Sequence, residues 1–219
     1  MYPLRPKTVQ HGFSLVELLV VVAIIGIMIA LLLPSITQYR KLSSASVCSG
    51  QMRQLYTVLV SYAGDNNGEF YPAFNESLPG DQAVWYYKLA PLSAYASSGK
   101  QLQKLSVCPE SRSPAPLGID NGQYVNNDYG YPYVVNYNVM RNNGTLRRPR
   151  FGTINSPAQV VLMTDTKKMS GWGYGFGDTS LTTINRIGEP HVEKANILWC
   201  DGHSTREKRD AITNTNLYP

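Results

Sequence analysis

An almost unbroken apolar run near the N-terminus limits the folds open to this chain more than any other feature. Between Phe13 and Leu33, Glu17 is the only charged residue and Ser14 the only other polar side chain. About 20 apolar residues in helical geometry span the hydrocarbon core of a bilayer, and the run lacks the alternation of a β-strand. The sequence therefore predicts a membrane-crossing helix over residues 13–33.

The carboxylate within this run needs an explanation. An acid at the centre of a membrane helix costs about 2.5–3.5 kcal/mol on insertion scales, and the position of Glu17 near one end lowers that cost without giving it a purpose. If the chain is cut before Phe13, the new α-amino group becomes a cation one helical turn away. Glu17 is therefore expected to have an amine as its partner.

Gly12, Phe13 and Glu17 resemble, in type and spacing, the N-terminus of type IV pilin and type II secretion pseudopilin precursors. The resemblance implies that a prepilin peptidase cuts between Gly12 and Phe13 and methylates the new amine of Phe13. It also implies that Glu17 pairs with the N-terminal amine of a neighbouring subunit as a filament grows. The partners implied are other pilin or pseudopilin subunits, the inner-membrane assembly platform and membrane lipid.

Charge alone does not orient the predicted membrane helix. Arg5 and Lys7 lie on one side of it and Arg40 and Lys41 on the other, so the positive-inside count is nearly balanced. The resemblance resolves the orientation. It implies a leader, residues 1–12, in the cytoplasm, one pass through the bacterial inner membrane, and an extracytoplasmic C-terminal domain.

The helix is predicted to continue beyond the membrane. Pro34 removes one helical hydrogen bond and predicts a kink. Residues 34–63 are predicted to continue the helix in amphipathic form, because three- and four-residue spacing recurs at Met52, Leu55, Tyr56, Leu59 and Tyr62. Asp65-Asn66-Asn67-Gly68 then ends it. Calcium binding by this segment is the alternative, but the spaced acids of an EF-hand are missing, and a plain turn is favoured.

Residues 64–219 are predicted to form one extracytoplasmic domain. Strands are predicted over 133–140, 159–164 and 195–200, a short helix over 84–96, and a type I′ hairpin turn at Asp201-Gly202. The predicted fold class is therefore α+β, with a long N-terminal helix packed on a small antiparallel sheet.

A second resemblance concerns the C-terminal part of the chain. His191, nine intervening residues and Asp201-Gly202, here named the C-terminal signature, resemble the end of a large group of bacterial pilin-like proteins. The Cys108-Pro109 pair and residues 157–165 are similar to the same group. Cys200 stands where that group more often has a small or apolar residue.

Three cysteines, Cys48, Cys108 and Cys200, allow at most one intrachain bridge. An extracytoplasmic location permits disulfides. Cys48 and Cys108 lie outside the predicted strands and are favoured as the pair, because together they would tie the helix to the sheet. Cys200 follows an apolar run and is expected to be a buried small hydrophobe.

Four residues, Asp165, His191, Asp201 and His203, would converge if their strands are neighbours. Such side chains can hold a metal or take part in catalysis. The favoured interpretation is structural, in which Asp201 shapes the turn and His191 hydrogen-bonds to the backbone.

No hydrolase or zinc-protease motif stands out, so we expect a protein that is not an enzyme. The net charge of +5 leaves room for nucleic-acid binding, and Arg141, Arg147, Arg148 and Arg150 form the densest basic group. Aromatic residues for base stacking are not interleaved with it, so nucleic acid is not an expected partner. The sequence predicts a pilin-like structural subunit; the alternative is a membrane-anchored ligand-binding module that does not polymerise.

Overall fold

A computed structural model describes residues 14–73, 85, 105, 108–111, 133–140, 150–166, 175–176 and 187–217. Its regular elements include two α-helices, α1 (Leu15–Asp65) and α2 (Tyr137–Met140), and five strands, β1 (Val134–Asn136), β2 (Val161–Thr164), β3 (Gly175–Phe176), β4 (Ala195–Trp199) and β5 (Ser204–Glu207). Most of the helix predicted over 84–96 and the basic residues Arg141, Arg147 and Arg148 lie outside the described residues, as do Gly12 and Phe13.

The chain divides into two compact units, residues 1–40 and 41–219. In the first, α1 is long and apolar enough to cross a membrane, and none of its apolar window is buried. Pro34 lies inside α1 without ending it, although proline lacks the amide proton for one bond of the helical ladder. The apolar surface of this unit is therefore of the kind that lipid covers.

The second unit contains the remainder of α1, which has one buried face. Cys48, Met52, Leu55 and Leu59 are at most 1% exposed, and their spacing of three or four residues places them on the same side of the helix. This segment was predicted as an amphipathic continuation of the membrane helix.

The C-terminus of α1 is closed by the predicted breaker segment. Asn67 and Gly68 have positive φ angles of 55° and 80°. The amide of Gly68 donates to the carbonyl of Ala63 at 2.7 Å, which satisfies one of the carbonyls that a helix end leaves unpaired. The segment forms a helix cap.

The sheet has the strand order β3-β1-β2-β4-β5. The pairs β1–β2, β2–β4 and β4–β5 are antiparallel, whereas β3 pairs with β1 in parallel. The predicted α+β fold, a long helix with a small antiparallel sheet, is confirmed, with β3 as a parallel addition at one edge.

Both faces of the sheet are covered. Leu162 and Leu198 belong to the core that contains the α1 residues, while Val161 and Ile197, which precede them in the same strands, belong to a second core with Ile212. Neighbouring residues in a strand point to opposite faces. Strands β2 and β4 are nearly continuous apolar runs because α1 covers one face of the sheet and the C-terminal segment covers the other.

The strand predicted over 133–140 is wrong in its second half, which is helix α2. The side chain of Asn136 explains where the strand stops. Its Oδ1 accepts a hydrogen bond from the amide of Asn138 at 3.0 Å, and its Nδ2 donates to the carbonyls of Val161 and Leu217. A side chain that bonds the backbone two residues on offers the chain an alternative to the strand ladder.

Candidate functional site

The first turn of α1 holds the acid that the apolar run contains. Ser14 precedes the helix, and its amide donates to Oε2 of Glu17 at 2.8 Å. A glutamate at the third helical position that reaches back to the residue before the helix satisfies one of the unpaired amides there. Both residues are exposed, so the Glu17 carboxylate has a local partner and remains accessible to another group.

His191 lies at the other predicted site, before β4. It is completely buried, and its amide donates to the carbonyl of Lys194 at 3.1 Å across a turn. Val192 and Glu193 in this turn have positive φ angles of 54° and 57°. The ring Nδ1 lies 3.3 Å from the carbonyl oxygen of Lys41 on α1, so the side chain connects the sheet to the helix backbone.

Asp165 follows β2 and lies beside His191. Its Oδ2 is 3.4 Å from Nε2 of His191 and accepts a hydrogen bond from the amide of Asn196 at 2.7 Å. Burial raises the pKa of Asp165, although the neighbouring imidazole of His191 and the bonds from Asn196 act in the opposite direction. Asn196 also donates from Nδ2 to the carbonyl of Ala45 at 3.1 Å, a second bond to the backbone of α1.

A disulfide between Cys48 and Cys108 completes this region, with 5.2 Å between the two Cα atoms. Sγ of Cys108 lies 3.2 Å from Nε2 of His191. We call Cys48, Cys108, Asp165 and His191 the buried cluster, because all four are buried and their ligand atoms lie within 4.8 Å of one another. The third cysteine, Cys200, is free and buried, and burial raises its pKa to about 12, so its thiol stays protonated at neutral pH.

The buried cluster is not a nucleophilic triad. In such a triad the acid and the nucleophile bond opposite nitrogens of the histidine, whereas Asp165 and Cys108 both approach Nε2 of His191. The Cys108 sulfur is also buried and bonded to Cys48 in the disulfide, so it is not available as a nucleophile. The geometry therefore favours a structural or metal-binding role.

The hairpin between β4 and β5 carries the end of the C-terminal signature. Oδ1 of Asp201 accepts a bond from the amide of His203 at 3.0 Å and contacts Nδ1 of that residue at 2.5 Å. Burial acts to raise the pKa of Asp201, but the bonds from His203 outweigh it and lower the pKa. The His203 ring is stacked on Trp199, with 5.6 Å between ring centroids.

The prediction of a type I′ turn at this hairpin is wrong. That turn needs positive φ at both central residues, but among the turn residues only Gly202 has one, at 90°. The amide of Trp199 donates to the carbonyl of His203 and the amide of Gly202 to the carbonyl of Trp199, both at 3.0 Å, which leaves a three-residue loop over residues 200–202. A Cβ atom on Gly202 would lie 2.9 Å from Cζ of Tyr56 on α1, so glycine is required by both the backbone and the neighbouring ring.

The four residues considered as one site thus form two separate pairs. Asp165 and His191 lie near the start of β4, and Asp201 and His203 lie beyond its end. The strand between them rises about 17 Å. Sequence reasoning missed Asn196 and the carbonyls of Lys41 and Ala45, since no spacing within the sequence indicates which backbone groups a distant side chain will reach.

The two halves of the C-terminal signature hold α1 at two points. His191 contacts the carbonyl of Lys41, while Tyr56 packs over Gly202 and donates from its hydroxyl to the carbonyl of Cys200 at 3.1 Å. The helix from Lys41 to Tyr56 rises about 22 Å, a length comparable with β4 and its flanking turns. The C-terminal signature therefore fixes β4 alongside α1 at two points, near Lys41 and near Tyr56.

Comparison with protein-family models identifies the N-terminal segment. The model of the prokaryotic N-terminal methylation motif matches residues 7–33, the segment that contains Gly12, Phe13 and Glu17. No curated protein and no solved structure matches the chain.

Proposed function

We propose that this chain, which carries the prepilin-type methylation motif over residues 7–33, is a structural subunit of a type IV pilus-like filament or a type II secretion pseudopilus. The observation that carries the proposal is the union of that motif with a long helix whose apolar window is wholly unburied. Such a surface needs lipid before assembly and neighbouring helices afterwards. In this proposal the chain is not an enzyme, and its function is to be incorporated into a polymer.

Glu17 supplies the register of assembly in this proposal. Its carboxylate is bonded to the amide of Ser14 at 2.8 Å in the uncut chain. Removal of the leader creates a charged amine at Phe13, and an ion pair with that amine on a neighbouring subunit lowers the cost of the acid in lipid. The subunits are thereby aligned along the filament.

The contacts within the described residues of the C-terminal unit suit a subunit that transmits force. A disulfide joins α1 to the segment at Cys108, and His191, Asn196 and Tyr56 hydrogen-bond across the junction between α1 and the sheet. These links resist separation of the domain from residues 41–65 of the helix. A subunit pushed or pulled through its helix would carry this domain with it.

The test is expression of the full chain in a host that contains a prepilin peptidase and an assembly platform. We expect mass spectrometry to find a chain that begins at methylated Phe13, and shearing of the cells to release polymer. Glu17→Ala should reduce sheared polymer at least tenfold. Asp210→Ala is the control, because it removes a carboxylate whose side chain is 89% exposed and which lies outside the apolar helix.

Retention of residues 1–12 on the native chain would contradict the proposal. So would a Glu17→Ala variant that is processed and polymerises as efficiently as the parent chain.

The second candidate function is a membrane-anchored binding module. An open groove of about 370 Å³ beside β5 favours it. Arg53 and Arg206 lie in the lining together with the hydroxyl groups of Ser46 and Ser49, a combination that suits a small anionic or hydroxylated ligand. An anchored module would remain entirely in the membrane fraction after shearing, which separates the two functions.

A further inference from the structure

The buried cluster offers more chemistry than a disulfide needs. The ligand atoms of Cys48, Cys108, Asp165 and His191 all lie within 4.8 Å of one another, and every one of these residues is buried. A disulfide surrounded by apolar side chains would tie the helix to the sheet equally well. The presence of an imidazole and a carboxylate beside the two sulfurs therefore calls for a separate explanation.

The imidazole is oriented as a ligand. Nδ1 of His191 lies 3.3 Å from the carbonyl oxygen of Lys41, which can only accept a hydrogen bond, so Nδ1 carries the proton in the neutral ring. Nε2 then presents its lone pair to the cluster, 3.2 Å from Sγ of Cys108 and 3.4 Å from Oδ2 of Asp165. A backbone carbonyl that fixes the tautomer from behind is the usual second layer of a metal site.

The carboxylate of Asp165 can accept a further bond. Oδ2 of Asp165 accepts the amide of Asn196 at 2.7 Å, but Oδ1 is buried without a hydrogen-bond partner within the part of the chain that the structure describes. A buried polar atom left unpaired destabilises the folded state. A cation inside the cluster would satisfy this oxygen.

We propose that the dithiol form of this chain binds one Zn²⁺ through Cys48, Cys108, His191 and Asp165. Two thiolates, one imidazole and one carboxylate form a four-ligand set that suits tetrahedral zinc. The soft sulfur donors disfavour magnesium and calcium, which select oxygen ligands. The site is closed and buried, so the metal is structural.

Zinc binding to the dithiol form needs no external oxidant or reductant. Each thiol loses its proton as its sulfur bonds to the ion, and two protons leave for each Zn²⁺ taken up. Disulfide formation is the competing fate of the same sulfurs. It transfers two electrons and two protons to a disulfide-bearing oxidant of the thiol-exchange class and leaves no thiolate for the metal. The zinc form and the disulfide form are therefore mutually exclusive states, and neither depends on filament assembly.

The experiment uses the full chain in detergent micelles, reduced with a phosphine, loaded with Zn²⁺ alone, desalted and analysed for metal. We expect one zinc per reduced chain and none above background in the oxidised chain. Co²⁺ in place of zinc should give the thiolate charge-transfer absorption and the visible bands of a tetrahedral site, and both should disappear when the disulfide forms. Circular dichroism follows the fold in each state.

Variants identify the ligands. Cys108→Ser and His191→Ala should hold no zinc, and the nearly isosteric Asp165→Asn should weaken binding at least about tenfold. Cys200→Ser is the matched control, because it removes a buried thiol outside the cluster and should bind zinc like the parent chain.

Three results would overturn the proposal. The first is a reduced chain that holds no more zinc than a Cys48→Ser/Cys108→Ser double variant, and the second is an oxidised chain that holds as much zinc as the reduced one. If reduction alone unfolds the chain, zinc is expected to restore the native dichroism, and failure to do so is the third.

Discussion

The two parts of α1 show how differently one helix can use its apolar residues. In the first unit the large apolar side chains are exposed in every direction, for example Leu18 at 59%, Ile25 at 49% and Leu32 at 56%. In the second unit the apolar positions form one face, and Met52 and Leu59 are completely buried. The first pattern depends only on length and composition, whereas the second depends on a sheet supplied by distant sequence.

Loss of the disulfide should have a large effect on the second part of α1. The bridge joins residues separated by 60 positions, and closing a loop of that size stabilises a fold by about 4 kcal/mol. Cys48→Ala/Cys108→Ala should lower the free energy of unfolding of the C-terminal unit by that amount in urea titrations of the full chain. Cys200→Ala, the control, should cost much less. Equal losses would show that the covalent link is not what holds the helix.

Truncation of one leucine in each part tests the comparison directly. Leu59→Ala leaves a cavity in the core and should cost about 2–5 kcal/mol, measured by the same urea titration. Leu32→Ala removes an equal volume from a side chain that is 56% exposed, and the unfolding of the C-terminal unit should be unchanged. A comparable loss in both variants would remove the distinction between the two parts.

Two glycine substitutions in the C-terminal unit are expected to change its stability in opposite directions. Gly202→Ala should cost about 2 kcal/mol, because Gly202 has φ of 90° and any side chain there meets the Tyr56 ring. Gly50→Ala lies within α1 with nothing within 4 Å of the new Cβ, and it should stabilise the protein by about 0.5–1 kcal/mol. Thermal unfolding of the two variants checks both signs.

Removal of the Tyr56 hydroxyl should have a small effect on stability and the clearest pH dependence. Burial raises the pKa of Tyr56 to about 12, with the charges of Asp201 and Cys200 adding to it. The phenol is neutral in both states below about pH 10, above which the unfolded chain ionises first. The stability contributed by Tyr56 is thus complete below pH 10 and lost between about pH 10 and 12.

Tyr56→Phe should cost about 1 kcal/mol at pH 8, the value of one hydrogen bond. The difference between Tyr56→Phe and the parent chain should shrink or reverse at pH 11 in urea titrations. If this difference does not change with pH, the pKa of the Tyr56 hydroxyl is the same in the folded and unfolded states, and the prediction is wrong.

Much of the architecture follows from local patterns. The membrane-type helix, its apolar continuation, the cap at Asn67 and the hairpin near Asp201 each depend on residues close together in sequence. The end of β1 was not predictable in this way, because the Asn136 side chain that bonds to the amide of Asn138 is also held by the carbonyl of Leu217, 81 residues away. The need for glycine at residue 202 depends similarly on the distant ring of Tyr56.

The candidate sites divide along the same line. The methylation motif could be recognised because its chemistry lies within six consecutive residues, from Gly12 to Glu17. The buried cluster could not, because Cys48, Cys108, Asp165 and His191 come from four distant segments. Only the folded sheet shows that His191 belongs with Cys108 and Asp165 and not with His203.

The contacts of His191 and Asn196 with α1 are made to the carbonyl oxygens of Lys41 and Ala45. Every amino acid supplies the same carbonyl, so His191's bond to residue 41 makes no demand on the side chain there. Lys41 itself is exposed. The outer surface of the helix is therefore free to change its chemistry, for example to suit different neighbours, while the attachment beneath it stays as it is.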